Sequence, residues 1–188
     1  MAAITLLTGG GRSGKSRLAV GLAAASPGPR LFVATCPPID AELRERIARH
    51  QTERAQLGFE TREEELDLAG VLRAAPGFRA VVIDCLTLWV SNLLYRAEQT
   101  GQPLREEDIA ERALELLRAC RDRDGRVILV TNEVGLGIIP ENALARRFRD
   151  LVGRVNQVVA RGADEVTLLV AGLPLHLKVS ADGPQEAG

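Results

Sequence analysis

The stretch "GGGRSGKS", Gly9 to Ser16, decides how this chain is read. It satisfies G-x-x-x-x-G-K-[ST], with Gly9, Gly14, Lys15 and Ser16 at the fixed positions. Its context is the required one: the apolar run "AITLLT" (3–8) precedes it and an Ala/Leu-rich helical pattern (14–25) follows. A loop of this kind, running through Gly10, Gly11, Arg12 and Ser13, turns its backbone N–H groups toward phosphates at a helix N-terminus. Lys15 then reaches the β- and γ-phosphates, and Ser16 ligates Mg²⁺. Composition argues separately for the same point. Of 24 basic residues only Lys15 and Lys178 are lysines, so a chain that otherwise uses arginine places a compact point charge here.

Outward from the loop, four more short apolar runs recur: "RLFVAT" (30–35), "AVVID" (80–84), "RVILVT" (126–131) and "EVTLLVAG" (165–172). They lack polar alternation and are bounded by Gly, Pro or charged residues, the pattern of strands buried on both faces of a parallel sheet. The segments 14–25, 38–56, 64–75, 86–97, 106–123 and 141–161 carry apolar residues at three- and four-residue spacing and are expected to be helices, with Gly125 and Gly162 as C-terminal stops. Alternating strands and helices imply right-handed crossovers and a P-loop NTPase-type α/β fold, a doubly wound, mostly parallel sheet with ligands at the carboxyl ends of its strands. With 188 residues, 46% of them hydrophobic, the chain is expected to form one domain over 1–179. The polar end "SADGPQEAG" (180–188) is expected to be disordered.

A net charge of -1, from 24 basic and 25 acidic residues, carries no signature of nucleic acid or of an anionic membrane, so any anion site must be local. "MAAITLLTGGG" has no basic n-region, and the most apolar stretch, "VTLLVAGLPLHL", is broken by Gly172 and Pro174; it falls short of the roughly 20 residues a membrane span needs. A soluble cytoplasmic protein is expected. Cys36, Cys85 and Cys120 are odd in number, far apart and without metal spacing, which argues against a disulfide framework or a zinc site.

Beyond the loop, several residues are candidates for chemistry. Asp84 ends an apolar strand, where a P-loop protein places the carboxylate that holds Mg²⁺ or its water; an Asp there also serves as an N-cap for the next helix. Asn132 and Glu133, in "VTNEVGLGIIP", follow another strand on the same sheet edge, and Gly135 and Gly137 make the segment either a ligand-approaching loop or an ordinary turn. Arg146, Arg147, Arg149 and Arg154 lie on one long helix, where a solvated face is the default. In "RIARHQTER" (46–54), Arg46, His50 and Arg54 stand four residues apart. Like charges so spaced repel by a few tenths of a kcal/mol, which makes sense if an anion sits against the stripe. The alternative is an apolar seam of Leu43, Ile47 and His50, with the arginines reaching water. In the first reading the arginines hold a triphosphate and His50 attacks phosphorus, splitting one transfer into two steps.

Together these pieces resemble a known family, the bifunctional adenosylcobinamide kinase / adenosylcobinamide-phosphate guanylyltransferases of cobalamin nucleotide-loop assembly. The resemblance runs over about residues 4–178 and rests on "TGGGRSGKS", "FVAT", "RIARHQTER", "TRE" (61–63), "DCLTLWVSNLL", "VTNEVGLGIIPEN", "FRDLVGRVNQ" and "GLPLHLK". It implies a P-loop fold, a nucleoside triphosphate (ATP or GTP) with Mg²⁺ to phosphorylate adenosylcobinamide, GTP for guanylylation of adenosylcobinamide phosphate, a covalent GMP-histidine at His50, and a homotrimer. It further implies that Gly9, Gly10, Gly11, Arg12, Ser13, Gly14, Lys15 and Ser16 bind GTP. Ala34, Thr35, Cys36, Gln51, Thr52, Glu53, Arg54, Glu63 and Asp84 join them by the same resemblance. Two other readings compete: a kinase in which His50 is only a phosphate ligand, and a nucleotide switch in which a triphosphate orders the 132–137 loop.

Overall fold

A computed structural model describes residues 1–37 and 41–179. The tail from Ser180, expected to be disordered, lies outside the described residues, as do Pro38, Ile39 and Asp40 at the start of the second expected helix. In chain order the elements are β1 (Ala3–Gly9), α1 (Lys15–Ala24), β2 (Arg30–Ala34), α2 (Ala41–Gln56), β3 (Phe59–Glu63), α3 (Leu68–Arg73), β4 (Ala80–Asp84), α4 (Leu86–Thr100), α5 (Glu106–Arg121), β5 (Arg126–Val130), α6 (Ala143–Gly162), β6 (Glu165–Val170) and β7 (Leu173–Lys178). They form one seven-stranded sheet in the order β3-β2-β4-β5-β1-β6-β7. Neighbouring strands run parallel except β7, which is antiparallel to β6.

The five apolar runs become the five inner strands, and their alternate side chains face opposite layers. Leu7, Val82 and Ile128 pack with Ala19 and Ala23 of α1 on one face. Leu6, Ile83 and Leu129 join Leu116 of α5 and Val155 of α6 on the other. Fully burying one such side chain contributes about 1.5–3 kcal/mol, so a sheet covered on both faces is the outcome this pattern favours. Helix α4 buries Leu86, Trp89, Val90, Leu93 and Leu94, so "LTLWVSNLLY" serves the core and leaves Tyr95 exposed.

The two outer strands were not among the expected elements. β3, "FETRE", buries only Phe59, and β7, "LPLHLK", is exposed throughout. Edge strands need no continuous apolar run, and Pro174 is tolerated because an edge leaves a ladder donor unused. The run expected at 165–172 stops at Val170, because Ala171 and Gly172 form a two-residue hairpin turn with φ of 52° and 84°, the left-handed pair of a type I′ turn. α3 begins at Leu68 rather than 64, since Glu64 Oε1 accepts the N–H groups of Leu66 and Asp67 and Asp67 caps the helix through Gly70 N–H. Gly162 is the last residue of α6 rather than a stop beyond it; a Cβ there would lie 2.6 Å from Leu117 Cδ1, so close helix packing accounts for it.

At the amino end of the sheet, Arg121 from the end of α5 grips Asp164 with two hydrogen bonds of 2.7 Å and also reaches the carbonyls of Ala2 and Gly162. Asp164 in turn accepts Ile4 N–H at 2.7 Å, tying α5, β1 and β6 together. The Arg121 hydrogen bonds hold the Asp164 carboxyl below its ordinary value, against the opposing effect of burial. A lowered folded-state value means that the contribution is complete above about pH 4 and is lost as pH falls through the lowered value. Because the two side chains are 34% and 33% exposed, solvent screening trims it. Asp164→Asn is expected to reduce the unfolding free energy by about 1–2 kcal/mol at pH 7. Urea denaturation measures this, and the difference from the parent chain should shrink below about pH 4.

Candidate functional site

The parallel register brings the carboxyl ends of β1, β4 and β5 together: Leu7 and Asp84 both pair with Val130. The glycine-rich loop leaves β1 at Gly9, where φ is 143° and a Cβ would fall 2.4 Å from the Leu169 carbonyl oxygen of β6. No side chain fits there, so the first position of the motif is set by backbone packing. Gly14 caps α1 in the left-handed region at φ 96°, and Lys15 begins the helix.

Lys15 is only 6% exposed. Its ammonium donates to Gly9 O at 3.0 Å, Gly10 O at 2.6 Å and Ser13 Oγ at 3.3 Å, which folds the loop over the cation. Burial lowers its pKa from the ordinary value, while Asp84 and Cys85 oppose that shift. Burial likewise raises the Asp84 carboxyl; a hydrogen bond from Ser16 and the positive groups of Lys15 and Arg54 pull it back. Ser16 and Asp84 thus set a hydroxyl and a carboxylate side by side at the mouth of a cleft of about 550 Å³. Arg12, Lys15, Asn132, Ala171 and Gly172 also line this cleft. Hard oxygen donors of this kind suit a Mg²⁺ ion that keeps waters and substrate phosphates in its remaining positions. A wider cleft of about 1000 Å³ lies among α3, α4 and α5. It contains none of these residues.

The residues grouped by resemblance gather at the carboxyl ends of β2, β3 and β4. Arg54 does not join a solvated stripe. It turns inward and stacks its guanidinium 3.8 Å from the centre of the Phe32 ring, and its buried Nε has no hydrogen-bond partner among the described residues. His50 is exposed rather than part of an apolar seam, and its Nδ1 lies 3.1 Å from Glu53 Oε2. Gln51 donates to Glu63 at 2.9 Å, joining α2 to β3, whereas Thr52 spends its hydroxyl on the Ala48 carbonyl one turn back. Arg46 lies on α2, but its side chain and those of Leu43 and Ile47 are outside the described residues.

Ala34 ends β2, Cys36 is half-buried beside it, and Thr35 between them is fully buried. The Thr35 hydroxyl accepts Cys85 N–H at 2.7 Å and donates to Cys85 O at 2.8 Å, while its carbonyl accepts Asn92 Nδ2 at 2.8 Å. It supports the residue next to Asp84. Burial pushes the Cys85 and Cys120 thiols up to about 11 and about 12, which suits apolar fillers rather than reactive thiols. Sequence reasoning missed the polar set of buried Thr87 and Thr131 with half-buried Asn92 and Asn156, because such residues on apolar elements carry no local motif. Among the described residues, Arg146 and Arg147 are not simply solvated: they reach the carbonyls of Pro140, Glu141 and Leu104.

The model of a family described as cobinamide kinase / cobinamide phosphate guanyltransferase matches residues 5–177. The chain is 44% identical to the bifunctional adenosylcobalamin biosynthesis protein CobP of Pseudomonas aeruginosa, over 92% of this chain and 96% of that one. It is 42% identical to the bifunctional adenosylcobalamin biosynthesis protein CobU of Salmonella typhimurium, over 92% and 98%. Among solved structures, a crystal structure of the RadB recombinase aligns with a TM-score of 0.51 at 18% identity, covering 88% of this chain and 73% of that one. That likeness concerns the fold alone.

Because Thr35 pairs with both backbone groups of Cys85, Thr35→Val should cost about 1–3 kcal/mol in urea denaturation by leaving them unsatisfied. Thr35→Ser, which keeps the hydroxyl, should stay within about 1 kcal/mol of the parent chain.

Proposed function

This chain belongs to the cobinamide kinase / cobinamide phosphate guanyltransferase family, and from that premise we propose that it performs two successive transfers in adenosylcobalamin nucleotide-loop assembly. In the first, the γ-phosphoryl group of ATP or GTP passes to the side-chain hydroxyl of adenosylcobinamide. The oxygen–phosphorus bond to the acceptor forms, the bond to the β-phosphate oxygen breaks to release the nucleoside diphosphate, and the hydroxyl proton passes to solvent. In the second, an imidazole nitrogen of His50 attacks the α-phosphorus of GTP and releases pyrophosphate. A phosphate oxygen of adenosylcobinamide phosphate then displaces the histidine, giving adenosylcobinamide-GDP and a free imidazole.

The observation that carries this reading is the meeting of two functions at one sheet edge. Lys15, Ser16 and Asp84 converge at the carboxyl ends of β1 and β4 in one cleft, and the neighbouring helix α2 presents an exposed histidine, His50. In the proposal Lys15 exchanges its loop carbonyls for phosphate oxygens, and the backbone N–H groups of residues 10–16 wrap the chain of phosphates. Ser16 and Asp84 would hold Mg²⁺, which would supply positive charge against the phosphates. Arg54, with an unpartnered buried Nε, supplies a further donor, while Gln51, Thr52, Glu53, Glu63 and the Ala34–Cys36 turn belong to the nucleotide's surroundings.

A homotrimer and a cytoplasmic site of action complete the proposal. Leu173, Leu175 and Leu177, exposed along edge strand β7, offer an apolar surface that assembly would cover. Among the described residues no helix is long and apolar enough to cross a membrane.

The test is covalent labelling. After incubation with Mg²⁺ and GTP labelled in its α-phosphate, the denatured chain should retain label that is acid-labile and alkali-stable, and His50→Ala should retain none. A folded, GTP-binding chain that takes up no label would overturn the second transfer and leave His50 a phosphate ligand.

A further inference from the structure

Asn132 stands between the two halves of the phosphate cradle. Val130, the last residue of β5, is in register with Leu7 on the P-loop side and with Asp84 on the other. The chain then continues past Thr131, whose N–H donates to Leu7 O at 2.9 Å, and Glu133, whose N–H donates to Gly9 O at 3.1 Å. Asn132 therefore emerges beside the start of the glycine-rich loop and lines the same cleft as Lys15, Ser16 and Asp84.

Its backbone is held from two helices. Asn132 N–H donates to Thr87 Oγ1 of α4 at 2.7 Å, and Asn132 O accepts Asn156 Nδ2 of α6 at 3.1 Å. Asn156 Oδ1 is itself fixed by Thr131 Oγ1 at 2.8 Å, and the Thr131 and Thr87 hydroxyls lie 3.3 Å apart. Thr87 and Thr131 are 7% and 0% exposed. A buried network with every member satisfied is a rigid support. An Asn after a strand commonly turns the chain by bonding its own backbone, but here the neighbouring side chains do that work. Among the described residues the Asn132 side-chain amide makes no hydrogen bond, although it lines the same cleft as Lys15 and Ser16.

Building on the proposed nucleoside triphosphate site, we propose that the Asn132 side-chain amide donates a hydrogen bond to the terminal phosphoryl group of the bound triphosphate. It would thereby distinguish triphosphate from diphosphate and steady the phosphoryl group during transfer to the acceptor hydroxyl. A donor aimed at the transferring group is worth more in the transition state than in the ground state.

Calorimetry of the full chain with Mg²⁺ and either GTP or GDP tests the assignment. Asn132→Ala should weaken GTP about tenfold or more and leave GDP within about twofold. Asn132→Asp, isosteric but without the donor and with a charge that repels phosphate, should weaken GTP more. With adenosylcobinamide as acceptor, phosphorylation kcat should fall on the order of a hundredfold. Equal losses for GTP and GDP, or unchanged GTP binding in both variants, would overturn the assignment. Failure of the underlying reading appears differently, as a parent chain that binds neither nucleotide, and the inference falls with it.

Discussion

A buried ammonium sets the terms for this structure. Lys15 sits almost out of water at the first residue of α1, and an uncompensated cation there would be expensive. The loop that precedes it supplies the compensation by folding two carbonyls and a hydroxyl over the charge. That fold requires β1 to end against the β6 backbone at Gly9, where no side chain fits. It also requires a negative group across the cleft, which Asp84 provides from β4. Loop conformation and the position of the acid both answer to this one charge. The carbonyls around it are weak partners compared with phosphate oxygens, which is what the proposed exchange of one for the other requires. Lys178, the other lysine, donates to the carbonyls of Ala160, Arg161 and Ala163 as α6 ends. Both lysines serve where a compact ammonium meets converging backbone oxygens.

Asp84 illustrates how far support extends behind a functional group. It ends a strand buried on both faces, and the residue after it is held through both backbone groups by Thr35, the residue just past the neighbouring strand. Thr35 is held in turn by Asn92 of α4. The same helix, one turn earlier, holds Asn132 through Thr87. A single helix thus anchors the loops after β2, β4 and β5. It carries both kinds of side chain because its apolar face fills the core while Thr87 and Asn92 face the strand ends. Such polar groups specify position at the cost of burial, and they function only as a completed set.

The legible parts of the fold are those in which one element's environment is uniform. Strands buried on both faces appear as continuous apolar runs, and the helices that cover them repeat at helical spacing, so five strands and the layer order follow from pattern alone. The edges escaped for the same reason. β3 and β7 each have a free side, and their composition is set by solvent and by the neighbouring strand rather than by a core. At the site, the phosphate loop was legible because its chemistry is local in sequence. The Thr87–Thr131–Asn156 network was not, since its members are separated by tens of residues and meet only after α4 and α6 have packed.

The helix bearing His50 shows the same limit from the other side. Four-residue spacing predicts that Arg46, His50 and Arg54 share a face, and a face is all that spacing can establish. What each side chain does there depends on what the sheet presents opposite it. Phe32 and Asp84 lie within reach of Arg54, and a guanidinium, being planar and weakly hydrated, gains by stacking on the ring with the carboxylate nearby. An imidazole one turn earlier meets no such surface and stays in solvent beside Glu53. The arginine is consequently an anchor for the helix, and the histidine is the group left accessible. That division suits a nucleophile, which must be reached first by one phosphorus centre and then by the oxygen that displaces it. A fully packed histidine would satisfy the fold better and the proposed chemistry worse.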